Sequence, residues 1–351
     1  MRVVVTGATG NVGTSVLQAL GRDPEVTEIV GLARRRPQLA MPRTRWVSAD
    51  VARDELAGHF AGADAVIHLA WLIQPSRDRA TTYAVNVGGS RRVFEAAAAA
   101  GVPVLVYASS VGAYSPGPKD RRVDESWPTE GIPSSFYSRD KAEVEQILDR
   151  FEAEHPQMRV VRLRPGLIFK AEAASGIRRL FAGPLLPTPL LRRALIPIVP
   201  ALERLRFQAV HSLDVAEAYR LAVTREVHGA FNVAAEPVLD PPELGRLLGA
   251  RPVRVPERAL RAAVDATWKL RLQPTPSGWL DLALGVPLMD IRRARGELGW
   301  TPAHSAGEAL LELVDAMRRG DGLQTPPLAP GGAGPLRLRE LLTGVGARSR
   351  G

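Results

Sequence analysis

Arg2-Val3-Val4-Val5-Thr6-Gly7-Ala8-Thr9-Gly10-Asn11-Val12-Gly13 runs from an apolar strand through a glycine turn into the start of a helix. Three consecutive valines suit a strand covered on both faces in the middle of a parallel sheet. A first glycine permits the tight reversal, a second lets backbone approach a pyrophosphate, and a third lets the helix pack closely on its strand. Free N–H groups and the dipole at the helix start then favour an anion. The spacing is G-x-x-G-x-x-G and not the more general G-x-G-x-x-G. Its position between strand and helix predicts a dinucleotide-binding turn built from Gly7, Thr9, Gly10, Asn11, Val12 and Gly13.

Outward from that turn, short β-rich runs alternate with helical patterns. Strands are predicted at 2–6, 28–32, 45–48, 63–69, 103–109 and 159–163, with helices near 11–20, 79–100 and 136–154. Strands separated by helices of this length predict right-handed βαβ units, hence an α/β fold with a doubly wound parallel Rossmann sheet. A smaller, mostly C-terminal substrate-binding region follows. The expected division is a nucleotide-binding core over 1–165, a substrate-binding region over 166–318 with segments returning to the core, and a flexible C-terminal extension over 319–351. Further helical patterns lie near 212–224, 242–248, 257–272 and 305–319, and a short basic one near 336–343. Segment 180–202 is apolar and broken by five prolines, whereas 320–335 is rich in Gly and Pro and reads as a flexible linker.

The second strand ends in Leu32-Ala33-Arg34-Arg35-Arg36, with no acidic residue to receive a ribose 2′-hydroxyl. An arginine there accommodates a 2′-phosphate, because its planar fork donates paired hydrogen bonds. The expected cofactor is therefore NADP(H), with Arg34 at the phosphate and NAD(H) as second choice.

The 351 residues carry 46 Lys+Arg against 37 Asp+Glu, a net charge of +9, and no cysteine. Disulfides, thiolate metal sites and cysteine nucleophiles are thus excluded. The arginines are spread over the chain without a basic stripe or interleaved aromatics, so no nucleic-acid partner is expected. The six histidines have no ligand spacing, and no metal is expected. No secretory pattern opens the chain and no run of 18 apolar residues occurs, which gives a cytoplasmic location without a spanning segment as the default.

Other segments extend the pattern. Asp50-Val51 follows the third strand, His68-Leu69-Ala70 the fourth, and Asn86-Val87-Gly88-Gly89 lies in the long helical stretch. Ser109-Ser110-Val111-Gly112-Ala113-Tyr114, Tyr137-Ser138-Arg139-Asp140-Lys141 and Arg164-Pro165-Gly166 come next, then His211 to Ala216 and Gly299-Trp300-Thr301-Pro302. In this order the chain resembles the extended short-chain dehydrogenase/reductases, the NAD-dependent epimerase/dehydratase family, over about residues 1–318. The resemblance implies Asp50 and Val51 beside the adenine, and Leu69, Ala70, Asn86 and Pro165 around the cofactor. It also implies a homodimer.

The chemistry can be argued from the residues. A hydride moved to or from a carbonyl requires a proton partner on the oxygen. Free tyrosine titrates near ~10, too high for a base at neutrality. A lysine four residues later on a helix shares its face and favours the phenolate. Tyr137 is the expected acid/base, Lys141 its tuner and ribose ligand, and Ser110 the donor to the substrate oxygen. His68 and His211 read as structural or pocket-wall residues, and Arg164 as a surface strand residue.

The expected function is NADP(H)-dependent redox chemistry on a carbonyl or alcohol of a small, fairly hydrophobic substrate. The apolar 180–202 segment falls where the family builds its substrate lid. The Val111-Gly112 pair replaces the acidic pair of the family's dehydratases, which disfavours elimination. Two alternatives stand: a nucleotide-sugar epimerase, with Arg192, Arg193, Arg204 and Arg206 as candidate diphosphate ligands, and a non-catalytic NADP-binding regulatory protein.

Overall fold

Val3, Val4 and Val5 are all wholly buried, yet they point to opposite sides of one sheet, and each side has its own core. The computed structural model describes residues 1–74, 77–179 and 198–330. Seven parallel strands make the sheet: β1 (Arg2–Thr6), β2 (Glu28–Ala33), β3 (Thr44–Ser48), β4 (Ala65–His68), β5 (Val104–Ala108), β6 (Arg159–Pro165) and β7 (Gly229–Val233). Their order is β7-β6-β5-β4-β1-β2-β3. The chain therefore winds outward twice from the β1/β4 junction, and the carboxyl ends of those strands form the crevice where such sheets take ligands. Six strands match the sequence reading; β7 is an addition at the edge, paired with β6.

On one face, Val3 and Val5 meet α1 (Asn11–Arg22) through Val16, Leu17 and Leu20, and a later helix, Ser212–Thr224, through Val215 and Tyr219. On the other, Val4 and Val66 meet α2 (Gly89–Ala99) through Val93 and Phe94, and α3 (Phe136–Glu154) through Val144, Leu148 and Phe151. Apolar residues at one-residue spacing on strands and at three- and four-residue spacing on helices give this two-sided burial. The 79–100 pattern is helical throughout, but not α-helical throughout. A short α-helical piece, Arg79–Tyr83, passes through a π-helical turn, Ala84–Gly88, before α2 begins.

Beyond β6 the chain builds small parallel pairs, Leu167–Phe169 with Ala209–His211 and Ile198–Ala201 with Arg251–Arg254. Helix α4 (Glu257–Lys269) has no fully buried residue, while α5 (Gly278–Gly285) is seated in the body. The expected lid mostly lies outside the described residues, as do Arg192, Arg193 and the 336–343 helix. No helix among the described residues is long and apolar enough to cross a membrane.

Of the segment read as a linker over 320–335, residues 320–330 are described. After α6 (Ala306–Arg319) the chain turns at Gly320 and folds back. Ser175 donates to Asp321's carbonyl (2.7 Å), Leu328 is buried, and Thr325 donates to the carbonyl of Thr9 (2.9 Å) inside the glycine turn.

Candidate functional site

The glycine turn sits at the carboxyl end of β1. Gly7 has φ +68°, and a β-carbon there would lie 2.7 Å from Ala70's nitrogen and Leu69's carbonyl carbon. That close approach brings the end of β4 against the turn. A β-carbon on Gly13 would lie 2.5 Å from Gly7's carbonyl oxygen, so α1 packs directly on its own turn. At Gly10 only Gly7's carbonyl oxygen is near, at 3.3 Å, which leaves this position approachable. The first intrahelical bond runs from Thr14's N–H to Gly10's carbonyl, so the N–H groups of Asn11, Val12 and Gly13 precede it. This is a donor set suited to a pyrophosphate. The turn is held from behind: Asn11 donates to Ile168's carbonyl (3.1 Å), and Lys170 donates to Thr14 (2.7 Å) and Ser15 (3.0 Å). Burial pulls Lys170 down to about 8.

Arg34, Arg35 and Arg36 are exposed just past β2. Asp50 accepts from Ala52's N–H (3.0 Å) in a tight turn, and Val51 is buried against Gly89. Leu69's N–H donates to Thr6's carbonyl, which fixes Leu69 and Ala70 beside the glycine turn. Pro165 is buried at the end of β6. Asn86, wholly buried in the π-helical turn, lies behind this wall. Its amide donates to Leu72's carbonyl (2.9 Å) and accepts from Leu72's N–H (2.7 Å). Asn86 thus fastens the segment that carries Trp71.

His68 is a structural histidine. Ser90's hydroxyl donates to Asn86's carbonyl (2.5 Å), so it accepts from Nε2 of His68 (2.9 Å), while Thr6's hydroxyl donates to Nδ1 (2.7 Å). Both ring nitrogens are satisfied in the neutral form, and burial, followed by Lys141's charge, pushes the imidazole down to about 3. Unfolded, it protonates below about 6.5. The folded protein stays deprotonated there, so stability falls as pH drops from 6.5 toward 3. Urea unfolding at pH 7 and pH 5 is expected to cost the native protein about 2 kcal/mol more than a His68→Gln variant. Equal losses would contradict the neutral, buried ring.

Ser110, Tyr137 and Lys141 are brought together at the carboxyl end of β5 and the first turns of α3. Ser135 caps α3 through Ser138's N–H, and Ser138 in turn donates to Gly112's carbonyl (2.5 Å), which ties the helix start to the Ser110 loop. Ser110's hydroxyl oxygen accepts from Gly112's N–H (2.9 Å). Tyr137 lies between two indoles: Trp71 meets it edge-on at 5.9 Å, and Trp279 of α5 at 5.0 Å and 34°. Ile132, Leu282 and Val286 complete the apolar wall, with Val111. Neither tryptophan was singled out by the sequence, since they stand more than 200 positions apart and carry no motif.

Lys141 follows Tyr137 by one turn of α3. Its ammonium donates to Ala108's carbonyl (2.6 Å) and sits 3.5 Å from the centre of Trp71's ring. Burial pushes Tyr137 above its ordinary value, opposed by a hydrogen bond with Ser110. Burial likewise pulls Lys141 well down, and Glu145 and Asp140 work against it. One expectation is corrected: Arg164 is not a surface residue. It is buried and grips Glu145 with two nitrogens, each at 2.9 Å.

The sequence profile of the NAD dependent epimerase/dehydratase family matches residues 3–234. An uncharacterized protein of Mycobacterium tuberculosis is 29% identical over 327 residues, 92% of this chain and 31% of that protein. The chain thus spans less than a third of that relative's length. An L-arabinose 1-dehydrogenase (NAD(P)(+)) of Haloferax volcanii is 34% identical over 182 residues, 49% of this chain and 68% of that enzyme. Among solved structures, a UDP-glucose 4-epimerase of Thermotoga maritima with UDP-glucose superposes with a TM-score of 0.68 at 20% identity, over 91% of this chain and 99% of that one.

Proposed function

Since the chain belongs to the NAD dependent epimerase/dehydratase family, we propose that it is an NADP(H)-dependent reductase of a carbonyl on a small, fairly hydrophobic substrate. The observation that carries this reading is the apolar wall around Tyr137: two indoles, Ile132, Leu282 and Val286, with Lys141's ammonium over Trp71. Such a surface desolvates an apolar group of the substrate.

The residues at the glycine turn suit a dinucleotide, as the open side of Gly10 and the N–H groups of Asn11, Val12 and Gly13 indicate. Arg34 would take the 2′-phosphate, with Asp50 and Val51 toward the adenine and Leu69, Ala70 and Pro165 along the nicotinamide half. Asn86 serves from behind, by holding Leu72. When bound, the dinucleotide supplies the hydride. Ser110 donates a hydrogen bond to the substrate oxygen, and Tyr137 delivers the proton to that oxygen. Burial holds Tyr137 above its ordinary value and so in the protonated form that a proton donor needs. Lys141's positive charge stabilises the phenolate left behind.

Binding titrations with NADPH and NADH test the cofactor. The native protein is expected to prefer NADPH, and Arg34→Ala to weaken NADPH at least tenfold with little change for NADH. A preference for NADH would discard the role of Arg34. It would also favour the second reading, a nucleotide-sugar epimerase, which draws on solved relatives such as a UDP-glucuronic acid 4-epimerase of Bacillus cereus in complex with UDP-glucuronic acid and NAD (TM-score 0.66, 17% identity, 91% of this chain and 99% of that one).

A further inference from the structure

Tyr137, Lys141 and Glu145 follow one another at four-residue spacing and so share one face of α3. The first two stand at the reacting end. Glu145 lies one turn deeper and is wholly buried. Its Oε1 accepts from Arg164 Nε (2.9 Å) and from Ser109's hydroxyl (2.5 Å). Its Oε2 accepts from a second Arg164 nitrogen and from Arg162, each at 2.9 Å. Ser109 immediately precedes Ser110, so the carboxylate grips the strand end from which Ser110 projects.

The surrounding charges do not simply cancel Glu145. On α3, Asp149 (2.6 Å) and Glu152 also pair with Arg162, leaving three carboxylates against two guanidiniums. From the other side, Tyr114's hydroxyl accepts from Arg164 (3.1 Å) and Tyr107's faces Lys141 (3.5 Å), both uncharged at neutrality. Glu125, in the loop beside Arg164, adds a further carboxylate, and Asp140, next to Lys141 on α3, is paired with Arg79 (2.7 Å). Carboxylates therefore outnumber guanidiniums behind Lys141, whose own hydrogen-bond partner is a neutral carbonyl.

We propose that Glu145 is a positioning residue of the active site: through Ser109 it fixes the strand end that carries Ser110, and its carboxylate supplies the counter-charge that keeps Lys141 an ammonium. Without that charge, a buried lysine facing an indole and a carbonyl would discharge toward neutrality. Burial pulls Lys141 down, and Glu145 heads the charges that hold it up. Arg162 and Arg164 keep Glu145 itself ionised, at about 2.

The proposal rests on the reading of Ser110, Tyr137 and Lys141 as the reacting set, but its test needs no substrate. The chain has four lysines, Lys119, Lys141, Lys170 and Lys269. Lysine-selective 13C labelling therefore gives an assignable NMR titration of each side-chain ammonium in the intact protein. In Glu145→Gln, Lys141 is expected to titrate lower by about one pH unit or more, with Lys269 unmoved and Glu145→Asp restoring part of the shift. Should Glu145→Gln fail to fold, Asp149→Asn with Glu152→Gln removes charge from the more accessible end of the network, and a smaller downward shift is expected. A Lys141 titration unchanged in the folded variants would overturn the proposal. The same outcome would leave the NADPH-binding result untouched, so the two readings fail separately.

Discussion

Tyr137→Phe is expected to reduce turnover by about a thousandfold while leaving NADPH affinity within about twofold, the size of effect a positioned acid contributes. The substitution removes one hydroxyl and keeps the ring. Its edge contact with Trp71 and its tilted stack with Trp279 survive, so the wall of the site is unchanged. Tyr137 is uncharged at neutrality, and the variant loses only its hydroxyl's hydrogen bond with Ser110, so stability is expected to change by about 1 kcal/mol or less. Steady-state rates with NADPH and the best carbonyl from a screen, beside fluorescence titrations of cofactor binding, measure both quantities. Turnover that survives the change would show that another group supplies the proton and would sink the mechanism.

The second large effect lies at the glycine turn, where two substitutions are expected to separate. Gly13→Val places carbon 2.5 Å from Gly7's carbonyl oxygen and 2.7 Å from Ala8's carbonyl, both backbone atoms that cannot swing aside. α1 must lift from the turn, at a cost on the order of 3 kcal/mol of stability and the loss of measurable NADPH binding. Gly10→Ala meets only one carbonyl oxygen at 3.3 Å, so the fold should tolerate it. If a pyrophosphate lies against Gly10, the added methyl intrudes on it, and affinity should fall at least tenfold with thermal stability nearly unchanged. Thermal melts and titrations of both variants test this together. Equal affinity in Gly10→Ala and the native protein would mean that the turn is structural and the nucleotide sits elsewhere.

How much of this was legible beforehand depends on the reach of each interaction. Most of the six strands follow from short continuous apolar runs, because a strand covered on both faces buries consecutive residues, and the helix Phe136–Glu154 follows from apolar residues every three or four. β7 escaped because Gly229–Val233 is short and follows a helix with no flanking strand pattern; its partner, β6, is remote in sequence. The π-helical turn escaped because five-residue periodicity over one turn leaves the apolar pattern nearly intact, and only the Asn86–Leu72 clamp reveals its use. Ser110, Tyr137 and Lys141 were legible as motifs. Trp71 and Trp279 were not, since their meeting at Tyr137 depends on the whole fold.

Arg164 was misread for a different reason. Arg162-Leu163-Arg164 on a central strand puts two cations on the same face of the sheet, which helices cover. That pattern demands a buried acid, and Glu145, four residues after Lys141, was available in the sequence to supply it. The signal is present in the sequence, but only the helix covering that face turns two strand arginines from solvent-facing charges into buried partners of Glu145.

The bond between Thr325 and Thr9 also sets an order of assembly. The hydroxyl that closes on the glycine turn leaves the ribosome 316 residues after it. At a synthesis rate of about 5–20 residues per second, the turn waits roughly 15–60 s for that contact. A nascent chain can build β1 and α1 early, but the clasped form of its glycine turn exists only after nearly all of the described chain has been made.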